Sequence, residues 1–172
     1  MAWNIDKSHT EVGFAVRHMM ISTVRGTFTR YDADVAIDPA NLEASKVTAR
    51  IEVASVDTKE EKRDGHLRSP DFFDAEKYPT LTFTSTKLTR NGGDVEVTGN
   101  LKVKDQEHPI TLKGEFVGPS KDPWGNSRVG FSLSGEIDRE QFGLTWNQAL
   151  EAGGVLVAKK VKIVVEAQLT QS

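Results

Sequence analysis

Apolar and polar residues alternate with a period of two along most of this 172-residue chain. The first such run places Val12, Phe14 and Val16 on one side. Because successive side chains of a strand point to opposite faces, this period predicts strands that are buried on one face only. Further runs lie at residues 24–37, 47–53, 81–83, 95–103, 110–116, 129–137 and 161–169. Helical periodicity is scarce, so the pattern predicts an all-β protein.

The connections between these runs are mostly short, and this favours an antiparallel barrel of about eight strands. NGG at 91–93 predicts a hairpin turn, because Asn and Gly accept positive φ. DQEHP at 105–109 predicts a second turn, with His108 and Pro109 inside it. Closing the sheet into a barrel removes the exposed strand edges that invite aggregation. A two-sheet sandwich has the same strand signature and stays open as an alternative.

Two connections are too long for hairpin turns, and each predicts a short helical segment, near residues 60–75 and 139–150. In the first, KEEKRDGHLR can make two helical turns. Ser69-Pro70 has the pattern of a helix start, with Ser as the cap and Pro at the first helical position.

The stretch RDGHLRSPDFF, residues 63–73, has two interpretations. In the first, Phe72 and Phe73 cover one open end of the barrel. In the second, His66 is a base oriented by Asp64 or Asp71 in a hydrolase-type enzyme. The segment supplies no nucleophile and no second acid, so the covering role is favoured.

Composition excludes several classes of function. The net charge is -3, from 22 basic and 25 acidic residues, so the chain lacks the excess of positive charge that is typical of nucleic-acid-binding proteins. The absence of cysteine excludes disulfides, thiolate zinc sites and a cysteine nucleophile. The four histidines form no HExxH motif and no helical pair, and no GxSxG motif occurs. We therefore predict no catalytic residue, no metal and no cofactor.

The length predicts one domain over residues 1–172. The stretch MAWNIDKSHTEV lacks the basic and apolar regions of a signal peptide, which predicts a cytoplasmic protein as written. If a signal had been removed, the location would be periplasmic or secreted. No apolar run reaches the roughly 20 residues that span a bilayer, so the chain is not expected to span a membrane.

Glycine recurs on the apolar side of four predicted strands, at Gly26, Gly99, Gly114 and Gly135. One interpretation is curvature, because closing a small barrel needs sharp bends. The other is space, because an eight-stranded barrel is just wide enough to hold one slender ligand. Both stay open here. A lumen lined by aliphatic and aromatic residues would select a long apolar chain over a sugar or nucleotide.

Five segments run in order through nearly the whole chain and together carry a family resemblance. They are WNIDKSHTEVGFAVRHMM, VRGTF, RDGHLRSPDFFDAEKYPTLTFTST, VTGNLKV and REQFG. With them the chain resembles the YceI-like family of lipid-binding, lipocalin-like barrels. The resemblance implies an extended eight-stranded antiparallel barrel that holds a polyisoprenoid or another amphiphilic chain in its lumen without performing chemistry. It also implies a homodimer.

The expected function is therefore non-catalytic binding of a long lipid, such as an isoprenoid or acyl chain, for carriage, storage or sequestration. A packed structural or interaction module without a ligand is the remaining alternative. Strand register selects the residues expected to line the cavity: His18, Phe28, Phe83, Leu101, Phe116, Phe131 and Leu133. A charged head group would need cationic donors at the mouth, and Arg63, Arg68 and Arg139 are the candidates.

Overall fold

A computed structural model describes residues 3–19, 21–147 and 157–171 of the chain. Within them, eleven strand segments form one antiparallel sheet. The segments are β1 (Asn4–Ile5), β2 (Glu11–His18), β3 (Ser22–Phe28), β4 (Tyr31–Ala36), β5 (Lys46–Glu52), β6 (Val56–Asp57), β7 (Thr80–Asn91), β8 (Asp94–Val103), β9 (Gln106–Lys121), β10 (Ser127–Asp138) and β11 (Val157–Gln171).

The sheet curls round into a barrel because two bent strands join its ends. Its order is β4-β5-β7-β8-β9-β10-β11-β2-β3-β6, and β1 pairs with the end of β11. β3 runs on into β4 through Thr29 and Arg30, and β5 runs on into β6 through a 3-10 turn at Val53–Ser55. Thr29 N donates to Ser55 O and Glu52 N donates to Arg30 O, so the ladder continues across both bends.

The predicted all-β antiparallel barrel is confirmed, and the sandwich alternative is excluded by the single continuous sheet. The count differs, with eleven segments where eight strands were expected. Joining β3 to β4 and β5 to β6, and taking β1 with β2, reduces the eleven segments to eight long strands. Alternation predicts which face of the sheet each side chain occupies, but it does not show where a bend divides one long strand into two segments.

Up-and-down order places the turns at two ends of the barrel. The hairpin end carries the turns between β4 and β5, β7 and β8, and β9 and β10. The NGG hairpin is confirmed there, with Asn91 opposite Asp94 and Gly92 at φ +64°. At the other end, the second hairpin turns at residues 104–105, because Val103 pairs with Gln106. His108 and Pro109 therefore lie within β9, and their assignment to a turn was wrong.

The other end, here called the helix end, carries α1 (Glu61–Arg68) and a 3-10 helix at Arg139–Phe142. The first predicted helix is confirmed over KEEKRDGHLR, but the predicted start at Ser69-Pro70 is wrong. Ser69 is the C-cap of α1, and its hydroxyl donates to the carbonyl of His66. The second predicted segment is helical only at its first four residues, and residues 148–150 lie outside the described residues.

Two buried apolar clusters occupy the two ends of the barrel. The hairpin-end cluster includes Trp3 and Leu42, which are 7% and 2% exposed. The helix-end cluster includes Phe72, Phe142 and Leu144, which are 7%, 1% and 8% exposed. Phe72 and its neighbour Phe73 thus pack at this end, as the covering interpretation of RDGHLRSPDFF predicts.

Candidate ligand-binding lumen

A cavity of about 180 Å³, here called the central cavity, lies inside the barrel between the two clusters. Its walls are almost wholly aliphatic and aromatic side chains that the strand alternation turns inward. Four of the residues selected by strand register line it: Phe83, Leu101, Phe131 and Leu133.

A second cavity of about 140 Å³, the helix-end cavity, continues toward α1 and is lined by Phe28 among others. It shares Val12, Ile51, Leu101 and Ile163 with the central cavity, so the two volumes adjoin. The lumen is therefore a row of apolar spaces along the barrel axis rather than a fully packed core.

Beyond the helix-end cavity lies a pocket of about 110 Å³, here called the polar pocket. His18, Arg63 and His66 contribute its polar groups, and Trp146 closes one side. It shares Phe14 and Phe72 with the helix-end cavity. Two apolar cavities are therefore followed by a pocket that carries one guanidinium and two imidazole groups.

Phe116 is the one selected residue outside these three spaces. It is 4% exposed and belongs to the hairpin-end cluster, with its ring 5.0 Å from that of Phe131. Arg90 lies 4.8 Å over the same ring. Phe116 therefore belongs to the packed core at the hairpin end, beside the cavity-lining Phe131.

Two of the four inward glycines are covered by aromatic rings. A Cβ on Gly26 would collide with the ring of Phe14 and would lie 2.9 Å from a Thr58 methyl group. A Cβ on Gly99 would lie 2.6 Å from the ring of Phe83. These glycines make room for neighbouring rings that form the wall of the lumen.

The other two glycines allow close backbone approach. A Cβ on Gly114 would overlap the carbonyl of Ser132 on the adjacent strand. A Cβ on Gly135 would lie 2.8 Å from the carbonyl oxygen of Thr111 and 2.8 Å from a Leu112 methyl group. Protein atoms thus occupy the space over all four glycines, and the geometry favours curvature and close packing over open lumen.

Of the three arginines selected for a head group, Arg63 lines the polar pocket. Its Nε donates to Thr58 Oγ1 at 2.7 Å and its Nη2 to Thr58 O at 2.8 Å. These bonds orient the guanidinium and use part of its five N–H donors. Arg68 lies outside the polar pocket and pairs with Glu61 at 3.7 Å. Asp64, four residues before Arg68 on α1, bonds to Thr58 and not to Arg68.

Arg139 is 2% exposed, and its guanidinium donates to backbone carbonyls of two residues that follow the 3-10 helix and of the first two residues of β11. Nε donates to Ala158 O at 2.8 Å, Nη1 to Leu144 O and Trp146 O, and Nη2 to Val157 O at 3.3 Å. Burial lowers the pKa of Arg139 below its ordinary value, while Glu140 and Asp138 oppose that shift. This arrangement ties residues 144–146 to the start of β11 and commits the donors that a head group would need.

His66 forms a hydrogen-bonded pair with Asp71, with Nε2 and Oδ2 2.9 Å apart. Its ring lies edge-on to Phe72 at 5.0 Å and to Trp146 at 4.6 Å. Asp64 instead accepts from the backbone N and hydroxyl of Thr58. Within the described residues, no side-chain hydroxyl forms a hydrogen bond with the His66 ring.

The described residues contain no cluster of three or more His, Asp or Glu side chains that could hold a metal ion. Every buried side-chain nitrogen or oxygen in residues 3–19, 21–147 and 157–171 has a hydrogen-bond partner. Across these same ranges, the helices are too short or too polar to traverse a lipid bilayer.

Several residues that line the lumen were not among those predicted from the sequence. Val12, Ile163 and Val165 line the lumen and follow the same alternation, so register alone could have identified them. Tyr31 also faces inward, and the series 31, 33, 35, 37 contains that signal. Trp146 lies in residues 143–147, which form neither helix nor strand, so no periodicity could place it.

Comparison with known proteins adds to this geometry. Residues 3–169 match the family model of the YceI-like domain. A UPF0312 protein of Staphylococcus epidermidis is 40% identical over 98% of this chain and 96% of its own length. The crystal structure of the Campylobacter jejuni YceI protein superposes with a TM-score of 0.79 at 35% identity, over 97% of this chain and 96% of that one. A polyisoprenoid binding domain from Saccharophagus degradans shares the fold at 14% identity, with a TM-score of 0.68 over 100% of this chain and 99% of that one.

Proposed function

Because the chain belongs to the YceI-like family, we propose that it binds one long apolar chain, a polyisoprenoid or a related acyl chain, along the axis of its barrel. The observation that carries the proposal is the row of adjoining apolar cavities of about 180 and about 140 Å³. An apolar guest gains about 25 cal/mol for each Å² removed from water, whereas a polar guest would lose hydrogen bonds in such a lumen.

The size of the lumen predicts how binding depends on chain length. A cavity of about 150 Å³ holds one benzene ring, so the two cavities accommodate on the order of twelve carbon atoms as they stand. A longer isoprenoid would have to displace rings at the helix end, where Phe72 and Phe73 pack against the lumen. Each added methylene contributes about 0.8 kcal/mol, or about fourfold in Kd, for as long as the lumen accepts it.

We place the head group of an amphiphilic ligand in the polar pocket. Arg63 is oriented there by Thr58, and His18 and His66 line the same pocket. A phosphate or carboxylate would accept charge-assisted hydrogen bonds from the guanidinium. Arg63→Gln should then weaken binding of a prenyl phosphate about tenfold and leave binding of the uncharged prenol unchanged. Equal weakening of both ligands would contradict this placement.

The proposed activity is carriage, storage or sequestration, with no reaction. His66→Ala tests the hydrolase alternative, because it removes the His66–Asp71 pair and leaves the apolar walls intact. Lipid capture should stay within about threefold of the parent protein. A prenyl-ester or acyl-ester turnover that disappears with this substitution would favour the enzyme.

Two measurements test the proposal as a whole. Native mass spectrometry of protein purified from cells should show an added mass that organic solvent releases as an apolar molecule. Delipidated protein should then bind a series of prenols and fatty alcohols with the length dependence given above. Protein that carries no lipid and binds none of the series would refute lipid binding and favour the packed structural module.

A further inference from the structure

The barrel wall has a seam without backbone pairing, between β4 and the N-terminal segment. β4 pairs with β5 along one edge. Residues 13–18 of β2 pair with β3, and β1 pairs with β11. Among the described residues, no strand ladder and no backbone hydrogen bond joins β4 to residues 3–12. Here the wall depends on side chains alone.

The central cavity extends to this seam. On one side it is lined by Ile5 and Val12, and on the other by Ala33 and Val35. The inward residues of β4 are only half-buried, whereas Val95, Val97, Leu101 and Val103 on β8 are buried. The apolar inner surface at the seam is therefore partly accessible to solvent.

Side-chain contacts of Tyr31 cross the seam. Its hydroxyl donates to the carbonyl of Thr10 at 3.1 Å, and Lys7 Nζ lies 5.9 Å from the centre of its ring. Both sides of the seam are also held by other contacts. β4 pairs with β5, and the backbone N of Gln168 on β11 donates to Thr10 Oγ1 at 3.1 Å. Rotating Tyr31 would break its bond to Thr10 and leave every strand ladder intact.

Both ends of the barrel, in contrast, are covered by buried residues. Trp3 and Leu42 cover the hairpin end, and Phe72 and Phe142 the helix end, each at most 7% exposed. A long chain entering through an end would have to displace these core side chains. A chain entering at the seam would part side-chain contacts, those of Tyr31 among them, and no strand ladder.

We infer that the seam between β4 and residues 3–12 is the lateral portal through which the apolar ligand enters and leaves the lumen, and that Tyr31 is its latch. This inference rests on the proposed function, because it concerns the route to the same lumen. It assigns to Tyr31 control of exchange rates rather than of affinity. A latch of this kind stabilises the closed wall in the free and the loaded protein alike.

The chain contains no cysteine, so a cross-link can be placed across the seam without side reactions. Lys7→Cys with Asp32→Cys, joined by a short bis-maleimide, ties the N-terminal segment to β4 at two exposed positions. The matched control is Glu96→Cys with Lys113→Cys, which lie opposite each other in the paired β8–β9 ladder. Stopped-flow fluorescence with the uncharged methyl ester of cis-parinaric acid gives association and dissociation rates for each protein before and after cross-linking.

Cross-linking the seam should slow association and dissociation together, each by at least about tenfold, with Kd within about twofold. Cross-linking the control pair should change neither rate. Unchanged rates in a fully cross-linked seam variant that still binds the probe would overturn the portal and leave the proposed function standing. If the protein before cross-linking binds no probe, the proposed function fails, and the portal with it.

A second variant tests the latch without a cross-link. Tyr31→Phe keeps the ring and removes the bond to Thr10, so both rates should rise about fivefold. Tyr78→Phe, at the turn that precedes β7, should leave them unchanged. Rates in Tyr31→Phe equal to those of the parent protein would overturn the latch.

Discussion

Filling the central cavity from Ala49 separates ligand capture from stability. Ala49 is a half-buried residue of β5 that lines the cavity and pairs with Ala33 and Phe83. Its Cβ therefore faces the space of about 180 Å³, which is enough for one phenyl ring. Ala49→Phe should place its ring where the ligand chain would lie.

The expected magnitudes follow from that replacement. The ring occupies the room of about six methylene groups, each worth about 0.8 kcal/mol, so the ligand should lose about 5 kcal/mol. That loss corresponds to a Kd weaker by about three to four orders of magnitude. The same ring, buried against protein, should stabilise the free barrel by about 2 kcal/mol and raise its melting temperature by about 5 °C.

The assay is a titration with cis-parinaric acid beside thermal unfolding followed by circular dichroism. Ala36→Phe is the matched control, because Ala36 lies on β4 and faces solvent. It should change neither quantity appreciably. A folded Ala49→Phe variant with an unchanged melting temperature and a Kd within threefold of the parent would refute binding in the central cavity.

Three further predictions concern the scaffold. Phe72→Ala should destabilise the protein by about 3–4 kcal/mol in chemical denaturation, whereas Trp124→Ala, at a residue 79% exposed, should leave stability unchanged. Arg139→Lys keeps the charge but loses the fork that binds backbone carbonyls, and thermal unfolding should show a loss of about 2–3 kcal/mol. Hydrogen bonds from Ser8, Arg128 and His9 hold the pKa of Asp6 well below its usual range. The stability that Asp6 adds should be complete above about pH 4 and lost as the pH falls further, so Asp6→Asn should lower the melting temperature at pH 7 and converge with the parent in acid.

The strands and their inward faces could be predicted from the sequence, because burial on one face imposes a period of two. Phe83, Leu101, Phe131 and Leu133 were identified in this way and line the central cavity. The same period of two places Tyr31 on the inward face, but it was not predicted because its hydroxyl group makes the residue polar at one end. The homodimer stays a prediction, since it came from the family resemblance alone.

Local composition could not show which polar groups meet across the fold. The sequence analysis expected Arg139 at the mouth of the barrel as a donor for a head group. It is buried instead, because backbone carbonyls such as those of Trp146 and Ala158 accept its hydrogen bonds. Asp64 lies four residues before Arg68, a spacing at which two side chains can pair on one helix face, but Asp64 bonds to Thr58 instead. The four glycines were ambiguous for the same reason, because the atoms above them belong to neighbouring strands.

The pairing of β1 with the end of β11 has a consequence for engineering. Asn4 lies opposite Thr170 and Ile5 opposite Leu169, so the N-terminal strand segment and the end of the last strand are side by side. A circular permutant that joins these ends by a brief linker and opens the chain at residues 92–93 should retain every ladder. Cargo or a surface tether fused at those new termini would sit on the hairpin end, away from the polar pocket.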